Sequence, residues 1–408
     1  MGAFHRGAHV GTHGRLQQPR RIVHTAGYRR GRCPVRGRLS VPPDGLRVAS
    51  GMAWCRDVGV GFGPDIWRWS VAVVAVVAEV SPDFTVSWRA MTIEYRQAEY
   101  GDFDIEAVVK IALAIRPDAF ESAADYIDRH DAQRSAGRVC VRWLALVGGR
   151  VVGSAYVGQS SSFPTEFISV YTAVHPDYQS RGYGRGLLER AEVTASERGG
   201  ETAYSWSDET QPRSLRVLER AGYREVERGW KSVLDLSQCD TESLRREVDR
   251  VGASGIRITS AKTLGLERDD WKQELHSLFA DVETDVPSPF PIQRMPFEDF
   301  EVQSLGRRFV SDGFFVALDG ERLVGLTEPQ RVDGDPRVIA QSLTGVRADY
   351  RGRGIATALK ARGAIWAVES GYSWIRTHNS QSNGRMLAIN DRLGFTRGHA
   401  TMGYFKDL

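Results

Sequence analysis

Arg351-Gly352-Arg353-Gly354-Ile355-Ala356 is a glycine-rich segment between an apolar, strand-like run and a run with helical periodicity. Gln179-Ser180-Arg181-Gly182-Tyr183-Gly184 has the same surroundings nearer the N-terminus. A glycine-rich turn that opens a helix presents several backbone N–H groups to an anion, and the helix N-terminus adds partial positive charge. Each segment therefore predicts a phosphate-binding loop between a strand and a helix.

The two loops belong to an internal repeat. Gly182 and Gly354 are 172 residues apart, and no gap is needed to align residues 149–223 with residues 321–395. Further pairs with this offset are Gly153 and Gly325, Gly222 and Gly394, Thr172 and Thr344, Val174 and Val346, Tyr178 and Tyr350, and Arg181 and Arg353. The sequence therefore predicts one α/β fold that occurs twice.

The pattern divides the chain into four segments. Residues 1–90 are rich in Arg, Gly and His, and we expect a disordered or mis-annotated extension, with translation starting near Met91. Residues 91–236 form the predicted N-terminal domain, residues 237–255 a linker containing a helix, and residues 256–408 the C-terminal domain. Within the extension, residues 69–78 are apolar but too few to span a membrane.

Composition narrows the class of function. Residues 1–90 hold 13 of the 54 Lys and Arg but 5 of the 51 Asp and Glu, so the folded part is mildly acidic. This balance favours cationic ligands there over nucleic acid. The four cysteines show no metal-ligand spacing, so we expect no metal and a reducing, cytoplasmic location. We expect neither a nucleic-acid nor a membrane partner.

The motifs resemble those of the GNAT superfamily of acyl-CoA N-acyltransferases. Both loops match its Q/R-x-x-G-x-G/A signature, and the run from Asn383 to Phe395 resembles its last helix. The resemblance covers about residues 92–408 and implies two tandem GNAT domains, each a mixed central sheet flanked by helices. It also implies acetyl-CoA as co-substrate. In that family the loop amides hold the pyrophosphate, and a backbone N–H of the preceding strand faces the thioester carbonyl.

The resemblance implies cofactor contacts in both halves. In the C-terminal half these are Thr344, Gly345, Val346, Arg351, Gly352, Arg353, Gly354, Ile355, Ala356 and Asn383; in the N-terminal half they are Gln179, Arg181, Gly182 and Gly184. Asn383 is equally suited to be a helix N-cap.

Candidate proton-transfer groups follow from the same alignment. Many GNAT enzymes carry a tyrosine as general acid where this chain has Leu218 and Asn390, so the acid is left open among water, Tyr350, Tyr404 or none. Glu328 and His378 are candidate bases. Asp281, Glu283 and Asp285 form an acidic run that either attracts an ammonium group or is an ordinary solvated loop.

Comparison of the halves predicts that the C-terminal half carries the chemistry. Trp206 and Gln211 replace His378 and Asn383 in the N-terminal half, which we expect to be structural or to bind acyl-CoA without turnover. The predicted function is acetyl transfer to a primary amine of a small molecule, by a monomer (an internal pseudo-dimer) or a homodimer. The alternatives are a protein or peptide N-acyltransferase, and a non-catalytic acyl-CoA sensor or scaffold.

Overall fold

The computed structural model of the chain describes residues 75–80, 86–98, 105–116, 122–265 and 269–408. Strands β1 (Ala75–Val80) and β2 (Val86–Met91) form an antiparallel two-stranded sheet of their own. The rest of the predicted extension lies outside the described residues.

The two halves contain matching elements. The N-terminal half consists of β3 (Ile93–Ala98), α1 (Ile105–Ile115), α2 (Ala123–Ser135), β4 (Cys140–Val147), β5 (Arg150–Gly158), β6 (Phe167–Val174), α3 (Tyr183–Glu197), β7 (Thr202–Asp208), α4 (Pro212–Arg220) and β8 (Arg224–Asp235). Helix α5 (Thr241–Gly252) follows in the predicted linker. The C-terminal half consists of β9 (Ile256–Ser260), α6 (Ala261–Leu264), α7 (Asp269–Glu283), α8 (Phe297–Gln303), β10 (Phe315–Asp319), β11 (Arg322–Arg331), β12 (Val338–Val346), α9 (Ile355–Glu369), β13 (Trp374–Ser380), α10 (Gly384–Arg392) and β14 (Thr396–Asp407). Short 3₁₀ turns occupy Pro176–Tyr178, Leu236–Gln238 and Ala348–Tyr350.

The predicted pair of mixed sheets is present as one continuous sheet of twelve strands, in the order β3-β4-β5-β6-β7-β14-β8-β13-β12-β11-β10-β9. Each half gives its last strand to the other. Strand β14 pairs with β7, with Asp407 opposite Thr202, and β8 pairs with β13, with Asp235 opposite Trp374. The exchange covers the sheet edges that separate domains would expose.

Each half contains a cleft in this sheet. The parallel pairing of β6 with β7 covers only Phe167–Ser169, and that of β12 with β13 covers only Val338–Ala340. Beyond these short ladders the two strands separate on their way to the glycine loops. Helices α3 and α9 start at those loops and bury their apolar faces against the sheet.

The described residues contain neither a candidate membrane-spanning helix nor a candidate metal-binding group. No helix in the described ranges combines the length and apolar character needed to cross a membrane. The His, Cys, Asp and Glu side chains that are described form no group of three or more that could hold a metal ion.

Candidate active site

The C-terminal glycine loop has the geometry of an anion cradle. Gly352 and Gly354 have φ of 77° and 80°, a region that side chains with a Cβ rarely adopt. Gly354 is the N-cap of α9 and, within the described structure, no side chain caps the helix. The first backbone N–H groups of α9 are therefore available to a ligand.

The side chains of this loop brace its backbone. Arg351 Nε donates to the Val346 carbonyl at 3.0 Å, and the guanidinium also pairs with Asp285. Arg353 donates to the Asp349 carbonyl at 3.0 Å and lies over the Tyr350 ring. The side chains of Arg351 and Arg353 therefore shape the loop, and the start of α9 carries no side-chain cap in the described structure.

The N-terminal loop keeps the same bracing. Gln179 Nε2 donates to the Val174 carbonyl at 3.0 Å, and Arg181 donates to the Asp177 carbonyl at 2.8 Å. Gly182 has φ of 83° and is the N-cap of α3. Ser180, however, replaces the first glycine and adopts φ of 61°, which costs backbone strain. At Gly184 an added Cβ would make an ordinary 3.6 Å contact, consistent with Ala356 at the same place in the other loop.

A β-bulge distinguishes the C-terminal cleft. In β11 and β12, Thr327 pairs with Thr344 but Pro329 pairs with Gln341, so two residues of β12 lie opposite Glu328 alone. The pairing of β5 with β6, both fully described, runs from Gly153 to Gly158 without any such shift. Bulges redirect backbone and side-chain groups and are common beside active sites.

Glu328 is the carboxyl group at this bulge. Its side chain is 1% exposed and accepts a hydrogen bond from Gln330 Nε2 at 2.9 Å. Further donors are the Ser304 and Ser342 hydroxyls and the Leu343 N–H. Burial raises the pKa of Glu328 despite these donors, which lower it. A carboxyl group with a raised pKa next to the strand that should face the thioester is suited to accept a proton.

Glu283 is a second carboxyl group near Glu328. It lies at the end of α7, and Ser162 Oγ of the N-terminal half donates to its Oε1 at 2.9 Å. Its Oε2 is buried and has no hydrogen-bond partner among the described residues. Burial raises the pKa of Glu283 to about 7; the Ser162 bond opposes this rise and the nearby Glu328 charge adds to it. This carboxyl group of the C-terminal half is thus contacted by a residue of the N-terminal half.

The other two predicted acidic residues are held by arginines. Asp281 is in the last turns of α7 rather than in a loop, and it pairs with Arg294 and Arg347. These two arginines lower the pKa of Asp281, although partial burial acts in the opposite direction. Asp285 pairs with Arg351. Asp285 therefore connects the turn after α7 to the glycine loop, while Asp281 holds α7 to Arg347 just after the end of β12. Glu283 alone of the three has no cationic partner in the described structure.

Aromatic residues of the N-terminal half fix the segment that follows α7. Phe290 lies in a cluster with Phe163, Phe167 and Tyr204 of that half, and its ring centroid is 4.1 Å from that of Phe163. Gln293 N–H donates to the Ser162 carbonyl at 2.8 Å. The N-terminal β5–β6 loop thus forms one wall beside the C-terminal cleft.

The equivalent cleft in the N-terminal half contains large side chains. Tyr156 takes the place of Glu328 and stacks on Tyr171, which in turn contacts Trp206 edge-on. The Arg116 guanidinium lies over the Trp206 ring, 4.4 Å from its centroid. Gln211, at the place of Asn383, donates through Nε2 to the Ile115 carbonyl. This half therefore has no carboxyl group at the Glu328 position.

Neither the two positions that replace the family's tyrosine nor the two candidate tyrosines offer a free acid group in the described structure. Asn390 is 1% exposed and donates to Asn379 Oδ1 at 2.7 Å, which fits a structural amide. Leu218 is a buried apolar residue, and Tyr404 is buried in the core of the N-terminal half. The Tyr350 hydroxyl donates to Asp319 Oδ2 at 2.8 Å beside the glycine loop, and that hydrogen bond raises its pKa. Tyr350 thus lies beside the glycine loop with its hydroxyl proton already donated to Asp319.

His378 and Asn383 are also engaged. The His378 ring lies over the Gly229 backbone, and its Nε2 is 2.6 Å from Thr401 Oγ1 on β14. The ring therefore extends across β8, away from β12 and Glu328. Partial burial of the ring and the nearby Lys231 lower its pKa. Asn383 is the N-cap of α10, with its Oδ1 accepting the Met386 N–H at 3.2 Å.

The end of β12, residues 344–346, was predicted to contact the cofactor, and its three residues have different surroundings. Val282 of α7 packs directly on Gly345, where an added Cβ would lie 2.0 Å from a Val282 methyl carbon. Thr344 Oγ1 is 2.7 Å from Thr327 Oγ1, which accepts from Gln341 Nε2 at 3.0 Å. Val346 belongs to the core beneath α9. Gly345 is thus required for the close approach of α7, and the threonines begin a polar network.

Lys360 of α9 completes that network, and the sequence comparison missed it. Its side chain is 3% exposed, its Nζ donates to Gln341 Oε1, and it forms no ion pair with a carboxylate in the described structure. Burial lowers the pKa of its amine to about 7. Leu188 occupies the equivalent position of the N-terminal half, so the offset of 172 residues would have shown the difference.

We expect Lys360→Met to remove part of the pH dependence of stability. The unfolded amine stays protonated up to about pH 10, whereas the folded amine loses its proton near pH 7. Between these values the unfolded state binds the extra proton, so the free energy of unfolding rises with pH by up to about 1.4 kcal/mol per unit. Denaturant titrations from pH 7 to 9.5 should give a smaller slope for the variant, and equal slopes would contradict a neutral Lys360.

The repeated loops and matching halves agree with a comparison of the sequence with known protein families. The chain belongs to the Acetyltransferase (GNAT) family, whose model matches residues 105–223 and again residues 273–395, more than half of the chain. It is therefore an acyltransferase, and its family uses acetyl-CoA.

Several known proteins are similar to it. The mycothiol acetyltransferase of Thermobifida fusca (strain YX) is 27% identical over 285 residues, which cover 65% of this chain and 82% of that protein. The mycothiol acetyltransferase of Amycolatopsis mediterranei (strain U-32) is 24% identical over 76% of this chain and 98% of that protein. A tandem GNAT protein from the clavulanic acid biosynthesis pathway superposes with a TM-score of 0.58 at 18% identity, covering 77% of this chain and 98% of that one. The structural match supports the tandem fold.

Proposed function

We propose that the C-terminal half transfers the acetyl group of acetyl-CoA to a primary amine of a small molecule, with Glu328 as the base. The observation that carries this proposal is the bulge of β12 opposite Glu328. It brings a buried carboxyl group to the strand that leads into the glycine loop. The other half has Tyr156 and regular pairing at that place.

Features of the glycine loop and of the neighbouring strands support acetyl-CoA as the donor in the C-terminal half. The loop from Arg351 to Ala356 would hold the pyrophosphate through backbone N–H groups, because Gly354 leaves the start of α9 without a side-chain cap. The gap between β12 and β13 beyond Ala340 would receive the pantetheine arm. Backbone N–H groups of the segment Thr344–Val346 would face the thioester carbonyl and favour the negative charge that develops on its oxygen.

Transfer would proceed by direct attack of the amine on the thioester carbon. A C–N bond forms, the C–S bond breaks, and CoA leaves as a thiolate. Glu328 would accept the proton that the amine loses, directly or through one water. Because burial raises the pKa of Glu328, its proton affinity is closer to that required near neutral pH than that of an exposed glutamate. Holding both substrates in one orientation supplies the other major contribution to the rate.

An acceptor amine is favoured by the charge of the neighbouring wall. Glu283 and Glu328 have no cationic partner in the described structure, and an ammonium group would compensate their mutual repulsion. The β5–β6 loop of the N-terminal half narrows this space through Ser162 and Phe163, which favours a small acceptor over a protein chain. The similarity to mycothiol acetyltransferases also supports a small-molecule acceptor.

The proposal assigns a structural role to the N-terminal cleft, because Tyr156, Tyr171 and Trp206 fill the region beside its loop. It also implies an enzyme that works where acetyl-CoA is made, in the cytoplasm, consistent with the free thiols of Cys140 and Cys239.

The exchange of β8 and β14 makes an internal pseudo-dimer, so we propose that a monomer or a homodimer is the active form.

The proposal is tested by CoA release from acetyl-CoA with a panel of amines. Small primary amines, including amino sugars and amino-acid derivatives, should release CoA in amounts equal to the N-acetyl product measured by mass spectrometry. Lysine-containing peptides of similar charge serve as the comparison. Turnover of the peptides alone would favour the protein-acylating alternative, and binding of acetyl-CoA without turnover of any amine would argue against the proposed reaction.

A further inference from the structure

Helix α5 of the linker packs on α9, and its Arg250 lies beside the glycine loop that precedes α9. A Cβ placed on Gly354 would lie 2.7 Å from Arg250 Nη2 and 3.1 Å from Nη1. The guanidinium therefore lies beside the residue that starts α9, where the backbone N–H groups are open to an anion. The Arg250 side chain is 53% exposed, so a ligand can reach it.

Packing and charge pairing hold Arg250 in this position. Leu244 and Val251 of α5 are buried in the same core as α9. Glu247, one turn before Arg250, pairs with Arg250 and also with Arg392 of α10. One carboxylate thus serves two guanidinium groups, and the cluster retains a net positive charge.

A further positive charge lies on the loop itself. Arg353 has the Asp349 carbonyl and the Tyr350 ring as neighbours and forms no ion pair in the described structure. Arg351, by contrast, is neutralised by Asp285. Arg250 beside Gly354 and Arg353 within the loop therefore both add positive charge near the glycine N–H groups, which suits a ligand with two adjacent negative charges.

The N-terminal loop has no equivalent of Arg250. At Gly182 no described atom lies within 4 Å of the position of an added Cβ. Gly182 and Gly354 otherwise share the same backbone conformation, with φ of 83° and 80°. The difference arises because α5 lies between the halves in the sequence but packs on α9 of the second half.

We propose that Arg250 binds the pyrophosphate of the acyl-CoA in the C-terminal cleft, so that the helix between the halves completes the donor site. The inference rests on the proposed function, since it assigns a further contact to the same ligand. Both loops lack a side-chain cap, so the arginine is what distinguishes the C-terminal loop from the N-terminal one in the described structure. A role limited to the Glu247 ion pair would instead leave ligand binding unchanged when Arg250 is replaced.

Equilibrium titration of the full chain with CoA and with 3′-dephospho-CoA tests the inference. Arg250→Met should weaken both ligands by the same factor, about tenfold for the loss of a charge-assisted hydrogen bond. Arg250→Lys should recover part of the loss, because it keeps the charge but not the planar fork. Arg246→Met is the matched control, since Arg246 is on the same helix with a side chain that is 69% exposed. Melting temperatures of all variants report on folding.

The outcomes separate this inference from the proposed function. Equal affinities for wild type and Arg250→Met would overturn it, and so would a loss confined to CoA, which would place the contact at the 3′-phosphate. If Gly354→Glu abolishes CoA binding while Arg250→Met does not change it, the donor site stands and the role of Arg250 fails. Failure of the wild-type chain to bind CoA would overturn both.

Discussion

Gly354→Glu should lower the rate of acetyl transfer by a factor of at least about a hundred. Gly182→Glu should leave most of the activity. At Gly354 the new side chain would meet the Arg250 guanidinium at 2.7 Å and place a carboxylate among the N–H groups that should hold the pyrophosphate. An anion there repels the phosphates, and misplacement of the donor by 1 Å is enough for a large loss of rate. The expected effect is therefore on donor binding and orientation.

Gly182 is a matched control for this experiment. Both glycines have a positive φ near 80° and both are helix N-caps, so a glutamate suffers the same backbone strain in each. That strain is about 1–2 kcal/mol. Initial rates of CoA release, with circular-dichroism melts of both variants, separate the effect on catalysis from the effect on folding. Loss of activity in Gly182→Glu with retention in Gly354→Glu would reverse the assignment of the catalytic half.

Glu328→Gln should lower kcat/KM by about 10²- to 10⁴-fold, the range for removal of a general base. The amide keeps the shape of the side chain but cannot accept the proton of the acceptor amine. In the wild type, activity should rise with pH as Glu328 loses its proton, and this limb of the profile should disappear in the variant. The pH dependence of kcat/KM with a single amine gives both results.

Stability distinguishes this loss from damage to the fold. Burial raises the pKa of Glu328, so its ionised form costs stability at every pH above the unfolded value of about 4.3. A neutral glutamine removes this cost, and the melting temperature at pH 7 should stay level or rise. Glu283→Gln provides the comparison, because its carboxyl group is the neighbouring candidate and titrates near 7. A greater loss in Glu283→Gln than in Glu328→Gln would transfer the role of base to Glu283.

Much of the fold was accessible from the sequence because its signals are local. Glycines that adopt positive φ, such as Gly354 and Gly394, must stand at particular turns, and the apolar periodicity between them specifies strand or helix. Because the pattern recurs after 172 residues, each of these signals is present twice in the sequence. The linker illustrates the value of local signals: residues 237–255 were predicted to contain a helix, and the structure has α5 at Thr241–Gly252.

The assignment of the acidic run needed the structure. In the sequence, Asp281, Glu283 and Asp285 are three carboxylates in a polar stretch. In the structure, Asp281 is next to Arg347 and Asp285 is next to Arg351, residues 66 positions away in the chain. Glu283 alone faces Ser162, which is 121 positions away. Such partners are set by how the strands are ordered in the sheet, which a local pattern does not contain.

The sequence by itself determined the duplicated α/β fold, the two glycine loops and the presence of Glu328 in one copy and Tyr156 in the other. The tertiary structure alone decided how these parts combine. It exchanges β8 and β14 between the halves, introduces the bulge opposite Glu328 and brings Arg250 to Gly354. The physical reason is that turns and periodicity depend on neighbouring residues, whereas strand exchange, register and ion pairing depend on contacts between residues far apart in the chain.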